Sequence, residues 1–529
     1  MKIFLLSLIS FFLLTNTTTA QDLSINWQNN IGGTDLDVCY EVKRTPDGGY
    51  VLGCYSDSAI SEDKSENSFG GSLDFWVVKL NADGEIQWDN TIGGSDFDVL
   101  FGIAVLDDGS MVVAGESKSS IGGDKTVASQ GGSDYWVLKL DTEGNILWQN
   151  AFGGSSDDIL RGFNTTADGG FLLTGHSFSG ISGDKTEANN GLEDYWVVKI
   201  DSNGVFQWDK TLGGSGIDHS WSVSEATDGS IFVGGLSNSP ISGDKTEPTM
   251  GSRDLWIAKL SSGGDLIWEN TIGGDGSDVV YDMVATEDNG LVLGAMSNSN
   301  ISGDKTENSK GGSDIWMVKL NEDGNILWQK TIGGSSSDGT DGLIRIPDVG
   351  YLIASNSTSP VSGDKTEGTF SYDYWIVKVD ETGNVIDQNT IQGFDIDIAL
   401  GLDLAHESGY IAVGYSDSDT GLDKEEDAQG YFDIWVTRLD LPLNTTEFED
   451  NTSLLTYPNP ASEMLTITTT SGTPINTLSL YNSLGQKVYE LDNLNGSQFQ
   501  LDLNGFSSGL YVLNVETDNE IFSRRILID

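Results

Sequence analysis

The triplet Asp-x-Trp occurs seven times, at Asp74/Trp76, Asp134/Trp136, Asp194/Trp196, Asp254/Trp256, Asp314/Trp316, Asp373/Trp375 and Asp433/Trp435. Successive copies lie 60, 60, 60, 60, 59 and 60 residues apart. A fixed period of this size means one supersecondary unit written repeatedly. It overrides the several independent domains that 529 residues would otherwise imply.

Each unit reads as four short strands. In the first they are "DVCYEVKR", "GYVLGCYS", "DFWVVKL" and "EIQWDNTI", rich in β-branched and aromatic residues and bounded by Gly, Asp, Asn and Ser. Along "DFWVVKL", Trp76, Val78 and Leu80 face one way and Phe75 and Val77 the other, so both faces are apolar. One four-stranded sheet cannot bury both faces, whereas stacked sheets can. The fold class expected is therefore all-β: a seven-bladed β-propeller of four-stranded blades.

A second tryptophan follows the first by about twelve residues, at Trp88, Trp148, Trp208, Trp268 and Trp328, with Asp387 in the sixth unit. The seventh unit lacks this segment. Its match stands at the start, in "SINWQNNIGG" with Trp27. The offset predicts that the N-terminal strand completes the seventh blade and closes the ring, removing its free edges.

Residues 1–20 read as a signal peptide: Lys2, an apolar run from Ile3 to Leu14, then small residues ending at Ala20. No later stretch approaches the ~20 apolar residues of a membrane helix. With 27 basic and 81 acidic residues, net charge −54, the chain repels phosphate backbones, so no nucleic acid partner is expected. Cys39 and Cys54 flank the turn Pro46–Gly49 on adjacent strands, and an exported protein permits a disulfide between them.

The units, such as "GGSDFDVLFGIAVLDDGSMVVAGESKS…DYWVLKLDTEGNILW", resemble the secreted bacterial propeller repeats called SBBP repeats, over residues 21–440. That resemblance implies fold, not reaction. After a polar linker, 441–456, the text changes. Residues 457–529 are expected to form a small β-sandwich that resembles the type A C-terminal sorting domain of type IX secretion in Bacteroidetes. The resemblance rests on Tyr457, Pro458, Asn459 and Pro460, on "LYNSLGQKVYEL", on Gly509 and Tyr511, and on Arg524 and Arg525. It implies the secretion machinery as partner, and release or attachment at the outer surface.

The phrase "SGDKTE" appears verbatim four times and as variants in the other units. Its "GDKT" looks like part of a phosphate loop. A phosphate loop needs a helix behind it, and seven copies in an acidic chain argue for a loop-organising element instead. The loop shares a face with the turn before the next inner strand. The acid ending that turn recurs as Asp37, Asp98, Asp158, Asp218, Asp278, Asp338 and Asp397. Such a ring would suit Ca²⁺ as the one cofactor. The competing reading, favoured because the element is identical in every unit, is that each Asp caps its own glycine turn.

Three positions on, the residues differ: Tyr40, Phe101, Arg161, Trp221, Tyr281, Asp341 and Leu400. Facing the channel they would form an aromatic-rich ligand surface, with Tyr40, Phe101, Arg161, Trp221 and Tyr281 as its candidates. Facing between blades, the plainer reading, they would be packing. His176, His219 and His406 lie in separate units at non-equivalent positions, so no zinc motif or nucleophile pair shows. The expected function is a secreted or surface-attached, non-catalytic protein binding a polysaccharide, peptide or protein through its long-loop face. The alternatives are a glycoside hydrolase or lyase with carboxylates at the channel mouth, and a structural or adhesion module.

Overall fold

The computed structural model describes residues 24–440 except 407. Within 454–528 it describes all but 458–460, 462–463, 470–472, 483–486, 492–493, 495, 504, 507–508 and 518–520. The expected signal peptide, residues 441–453 of the expected linker, and Pro458, Asn459 and Pro460 lie outside the described residues. The chain divides into two compact units, Met1–Leu441 and Pro442–Asp529. Both are all-β, and the described residues contain no helix.

The first unit contains seven four-stranded antiparallel sheets. The first sheet is Asp37–Arg44, Tyr50–Ser56, Asp74–Leu80 and Ile86–Ile92, in chain order. Five more repeat that order. The last is built from Asp397–Leu404, Tyr410–Ser416 and Asp433–Asp440, and its outer strand is Ser24–Ile31, antiparallel to Asp433–Asp440.

Alternation along the third strand explains the stacking. Phe75 and Val77 pack with Val113, Trp136 and Leu138 of the second sheet. Trp76, Val78 and Leu80 pack with Ile411, Val413, Ile434 and Val436 of the last. All seven third-strand tryptophans are fully buried. Hydrogen bonds also cross three of the joints: the Tyr135 hydroxyl donates to the Trp196 carbonyl at 3.0 Å, the Tyr195 hydroxyl to that of Trp256 at 2.9 Å, and the Tyr374 hydroxyl to that of Trp435 at 3.0 Å.

The outer tryptophans act as wedges against the following sheet. A Cβ on Gly324 would stand 3.2 Å from the Trp268 ring, and Gly324 has φ +83°, so this hairpin turn requires glycine on two counts.

Cys39 and Cys54 stand directly opposite in the register. Both are buried free thiols, and Cys39 Sγ donates to the Gly53 carbonyl at 3.5 Å. Burial, then the neighbouring Cys39, pushes the Cys54 thiol well above its ordinary range.

The second unit has a three-stranded sheet (Leu454–Tyr457, Met464–Thr469, Gln498–Asp502) and a four-stranded one (Lys487–Leu491, Ile475–Asn482, Gly509–Thr517, Ile521–Ile528). They share one core that includes Leu465, Ile467, Leu480, Leu513 and Ile526.

Candidate functional site

Every inner strand carries one β-bulge. The register slips between Cys39 and Glu41, Leu100 and Gly102, Leu160 and Gly162, Ser220 and Ser222, Val280 and Asp282, Thr340 and Gly342, and Ala399 and Gly401. The unpaired residue in each case is Tyr40, Phe101, Arg161, Trp221, Tyr281, Asp341 or Leu400. A bulge re-aims the side chain it carries. All seven line one cavity of about 540 Å³ whose walls come from the seven inner strands. Facing the cavity and packing between sheets are not exclusive here, since Phe101 also packs against the core between the second and third sheets. A strict two-residue alternation would have sent each side chain to its neighbours, and the extra residue turns it inward.

One arc of the cavity is aromatic. Tyr40 meets Phe101 edge-on at 4.9 Å, and Trp221 meets Tyr281 at 5.3 Å. Between these pairs lies Arg161, 4.3 Å from the Phe101 centroid and 5.8 Å from that of Trp221. Glu116, buried, holds the guanidinium from behind at 3.5 Å, and burial raises its carboxyl. The opposite arc holds Asp341, which accepts from Asn356 Nδ2 at 2.8 Å. Burial raises Asp341 to about 7, against the lowering effect of that amide. Burial, followed by the Asp341 charge, raises Tyr40 to about 12. The Trp221 indole N–H is buried without an acceptor. Deeper in, Glu41 pairs with Lys43 at 2.6 Å, and Asp282 accepts from Ser222 Oγ at 3.0 Å and from the Leu343 amide at 2.8 Å.

The seven repeated acids are fully buried. Asp37 Oδ2 accepts from the Gly33 amide at 2.7 Å and from Ser58 Oγ at 3.0 Å. Asp98, Asp158, Asp218, Asp278, Asp338 and Asp397 repeat both bonds. One oxygen of each carboxylate, Oδ2, is thus taken up by its own turn and by the adjoining loop, while Oδ1 of all but Asp338 is buried without a partner. The loop lysine brings the compensating charge. Lys64, Lys125, Lys185, Lys245, Lys305, Lys365 and Lys424 are buried over the third-strand indoles of their own sheets, at 4.9–5.7 Å. The preceding acid bridges blades: Asp304 donates its amide to the Gly273 carbonyl at 2.8 Å and accepts from the Gly273 amide at 3.2 Å. The "GDKT" phrase is therefore a loop organiser.

His176 and His219 are brought together, contrary to the expectation that the histidines stay apart. Their rings stack at 3.8 Å with a 15° tilt, across the joint between the third and fourth sheets. Glu193 contacts His219 Nε2. The signal was present in the spacing. The next-to-last residue of one unit's second strand lies beside the second residue of the next unit's inner strand, 43 positions on. His406 is apart from them, with Nε2 2.9 Å from the Gly49 carbonyl.

In the second unit Arg524 donates to the Leu454 carbonyl at 3.2 Å, Tyr511 is buried and Tyr457 is half exposed. Gly509 opens the strand that pairs with Ile521–Ile528. Residues 455–529 match the family described as a secretion system C-terminal sorting domain. This segment is a type IX sorting domain. The protein is thus secreted or attached to the cell surface, and the sorting domain engages the secretion machinery.

The WD40 domain of Neurospora crassa Pan2 is 9% identical, with a TM-score of 0.43 over 80% of this chain and 98% of that one. Kuenenia stuttgartiensis hydrazine synthase is 10% identical, with a TM-score of 0.42 over 76% of this chain and 95% of that one. Regulatory protein FlaEY of Caulobacter vibrioides is 23% identical over 189 residues, 34% of this chain. The match spans about a fifth of that relative's length.

Proposed function

We propose that the sorted protein is a non-catalytic extracellular binding protein, and that its ligand enters the cavity at the long-loop end of the inner strands. The observation that carries this reading is the convergence of seven side chains of six different types, each on a bulge, in a molecule otherwise built from near-identical units. Repetition serves the scaffold. Departure from it at a concave, partly aromatic surface serves recognition. Stacking faces beside one fixed cation and one carboxyl suit a polysaccharide or a peptide. The same reading takes the seven sheets as a seven-bladed propeller closed by Ser24–Ile31, which gives the cavity a continuous wall. The test is a glycan and peptide screen on residues 21–440, with and without Ca²⁺, repeated with Trp221→Ala. Binding that Trp221→Ala abolishes supports the reading. Absence of any binder, or binding indifferent to the substitution, overturns it.

A second reading, a glycoside hydrolase or lyase, draws on Asp341. A half-buried carboxyl held near 7 at the cavity wall is protonated often enough at neutral pH to act as a general acid. Turnover of a screened glycan that Asp341→Asn abolishes would decide for this reading.

A further inference from the structure

We infer that His176, His219 and Glu193 form a binding site for one transition-metal ion of the Zn²⁺ class, at the joint between the third and fourth sheets.

Three observations carry this inference. The first is composition. Two imidazoles and a carboxylate offer ligand atoms that all lie within 4.8 Å of one another. Two histidines with one acid is a ligand set that Zn²⁺ accepts, leaving a fourth position for water or a ligand group.

The second is that one ligand atom of the set is already buried and without a partner. His176 is 6% exposed, and its Nδ1 has no hydrogen-bond partner. A buried ring nitrogen without a partner is uncommon and needs an explanation.

The third is placement against the repeat. Where His219 stands, the other units carry Val, Val, Ile, Val, Gly and Ile. Where Glu193 stands, no other unit has an acid. Where His176 stands, none has another histidine. Three residues that no other unit carries at the equivalent positions, drawn from two sheets and one loop, meet at a single joint. The scaffold does not need them, since six other joints hold without them.

Tetrahedral ligation at ~2.0–2.1 Å places ligand atoms roughly 3.3 Å apart. The stacked rings do not yet converge on one point, so binding requires the His219 and Glu193 side chains, 22% and 18% exposed, to turn. The nearby Arg161 cation is already paired with Glu116, so it does not bar a second cation.

The test uses the full chain stripped with chelator and titrated with Co²⁺ and then Zn²⁺. Salt is held at about 1 M, where screening within ~3 Å silences the acidic surface. The expected result is one equivalent of Co²⁺ with visible d–d bands, displaced by Zn²⁺ and not by Ca²⁺, which prefers oxygen ligands. His219→Ala and Glu193→Gln should each weaken Zn²⁺ binding at least about tenfold. If His219→Ala does not fold, Glu193→Gln and X-ray absorption of the wild-type Zn²⁺ complex decide, the latter by imidazole scattering from two rings. No saturable single equivalent, affinity unchanged in Glu193→Gln, or an all-oxygen shell would each overturn the site.

Discussion

Trp435 Nε1 donates to Gln28 Oε1 at 2.9 Å, across 407 positions of sequence. In the other sheets the same indole nitrogen finds its acceptor 13 residues on, as Trp316 does with Gln329 Oε1 at 3.2 Å and Trp375 with Gln388 Oε1 at 3.0 Å. Gln28 also donates to the Asp423 carbonyl at 2.6 Å, as Gln329 does to that of Asp304 at 2.7 Å. The N-terminal strand thus occupies a fourth-strand place in full chemical detail.

Removing residues 24–31 should therefore act far from the N-terminus. The deletion bares the edge of Asp433–Asp440, takes Ile31 from the core, and leaves the Trp435 indole N–H without its acceptor. The expected outcome is a melting temperature lower by several degrees and concentration-dependent association through the bared edge, read by calorimetry and light scattering. An unchanged melt with a monomeric protein would contradict it.

The loop lysines should be structural charges. Lys305 lies 4.9 Å from the Trp316 centroid and donates to Ser297 Oγ at 2.9 Å. Burial lowers it to about 8, with Asp278 and then Asp314 pulling the other way. Lys305→Met leaves those two carboxylates uncompensated and should cost about 3–5 kcal/mol. Denaturant unfolding measures this, and a cost below ~1 kcal/mol would mean that the lysine is not the counter-charge.

Arg161 and Glu116 should behave as a coupled pair. Arg161→Ala strands a buried carboxylate and should destabilise the protein by about 2–4 kcal/mol, while the double variant with Glu116→Gln should recover a large part of that loss. A double-mutant cycle with no coupling would remove Glu116 as the support of the aromatic arc.

The seven sheets were legible because repetition is itself a structural signal, and the sorting domain because its motifs resemble a known family. Asp-x-Trp fixed the period, and alternation in "DFWVVKL" assigned Trp76 and Phe75 to opposite joints. The glycine-turn role of Asp37 and its counterparts was legible for the same reason. The orientation of Tyr40, Phe101 and Trp221 was not. A bulge is one extra residue in a strand, and no residue type announces it, so the channel-facing and inter-blade orientations both stayed open. The meeting of His176 with His219 was hidden for another reason. It is a contact between units, and a scan that compares equivalent positions does not see non-equivalent positions that touch across a joint.

The last prediction concerns pH. Asp341 has its carboxyl raised by burial from 3.8 to about 7. Between those values the folded protein holds a proton that the unfolded chain has released. Stability from this group is therefore complete below about pH 4 and is lost as pH rises through about 7. Many other carboxyls titrate in the same range, so the measurement is a difference. The unfolding free energy of Asp341→Asn minus that of wild type should rise between pH 4 and pH 8, by on the order of a few kcal/mol. The amide keeps an oxygen to accept from Asn356, so the bond across the cavity wall survives the substitution. A difference that stays flat over that range would mean that Asp341 ionises normally, and with that the acid-catalyst reading of the cavity would lose its footing.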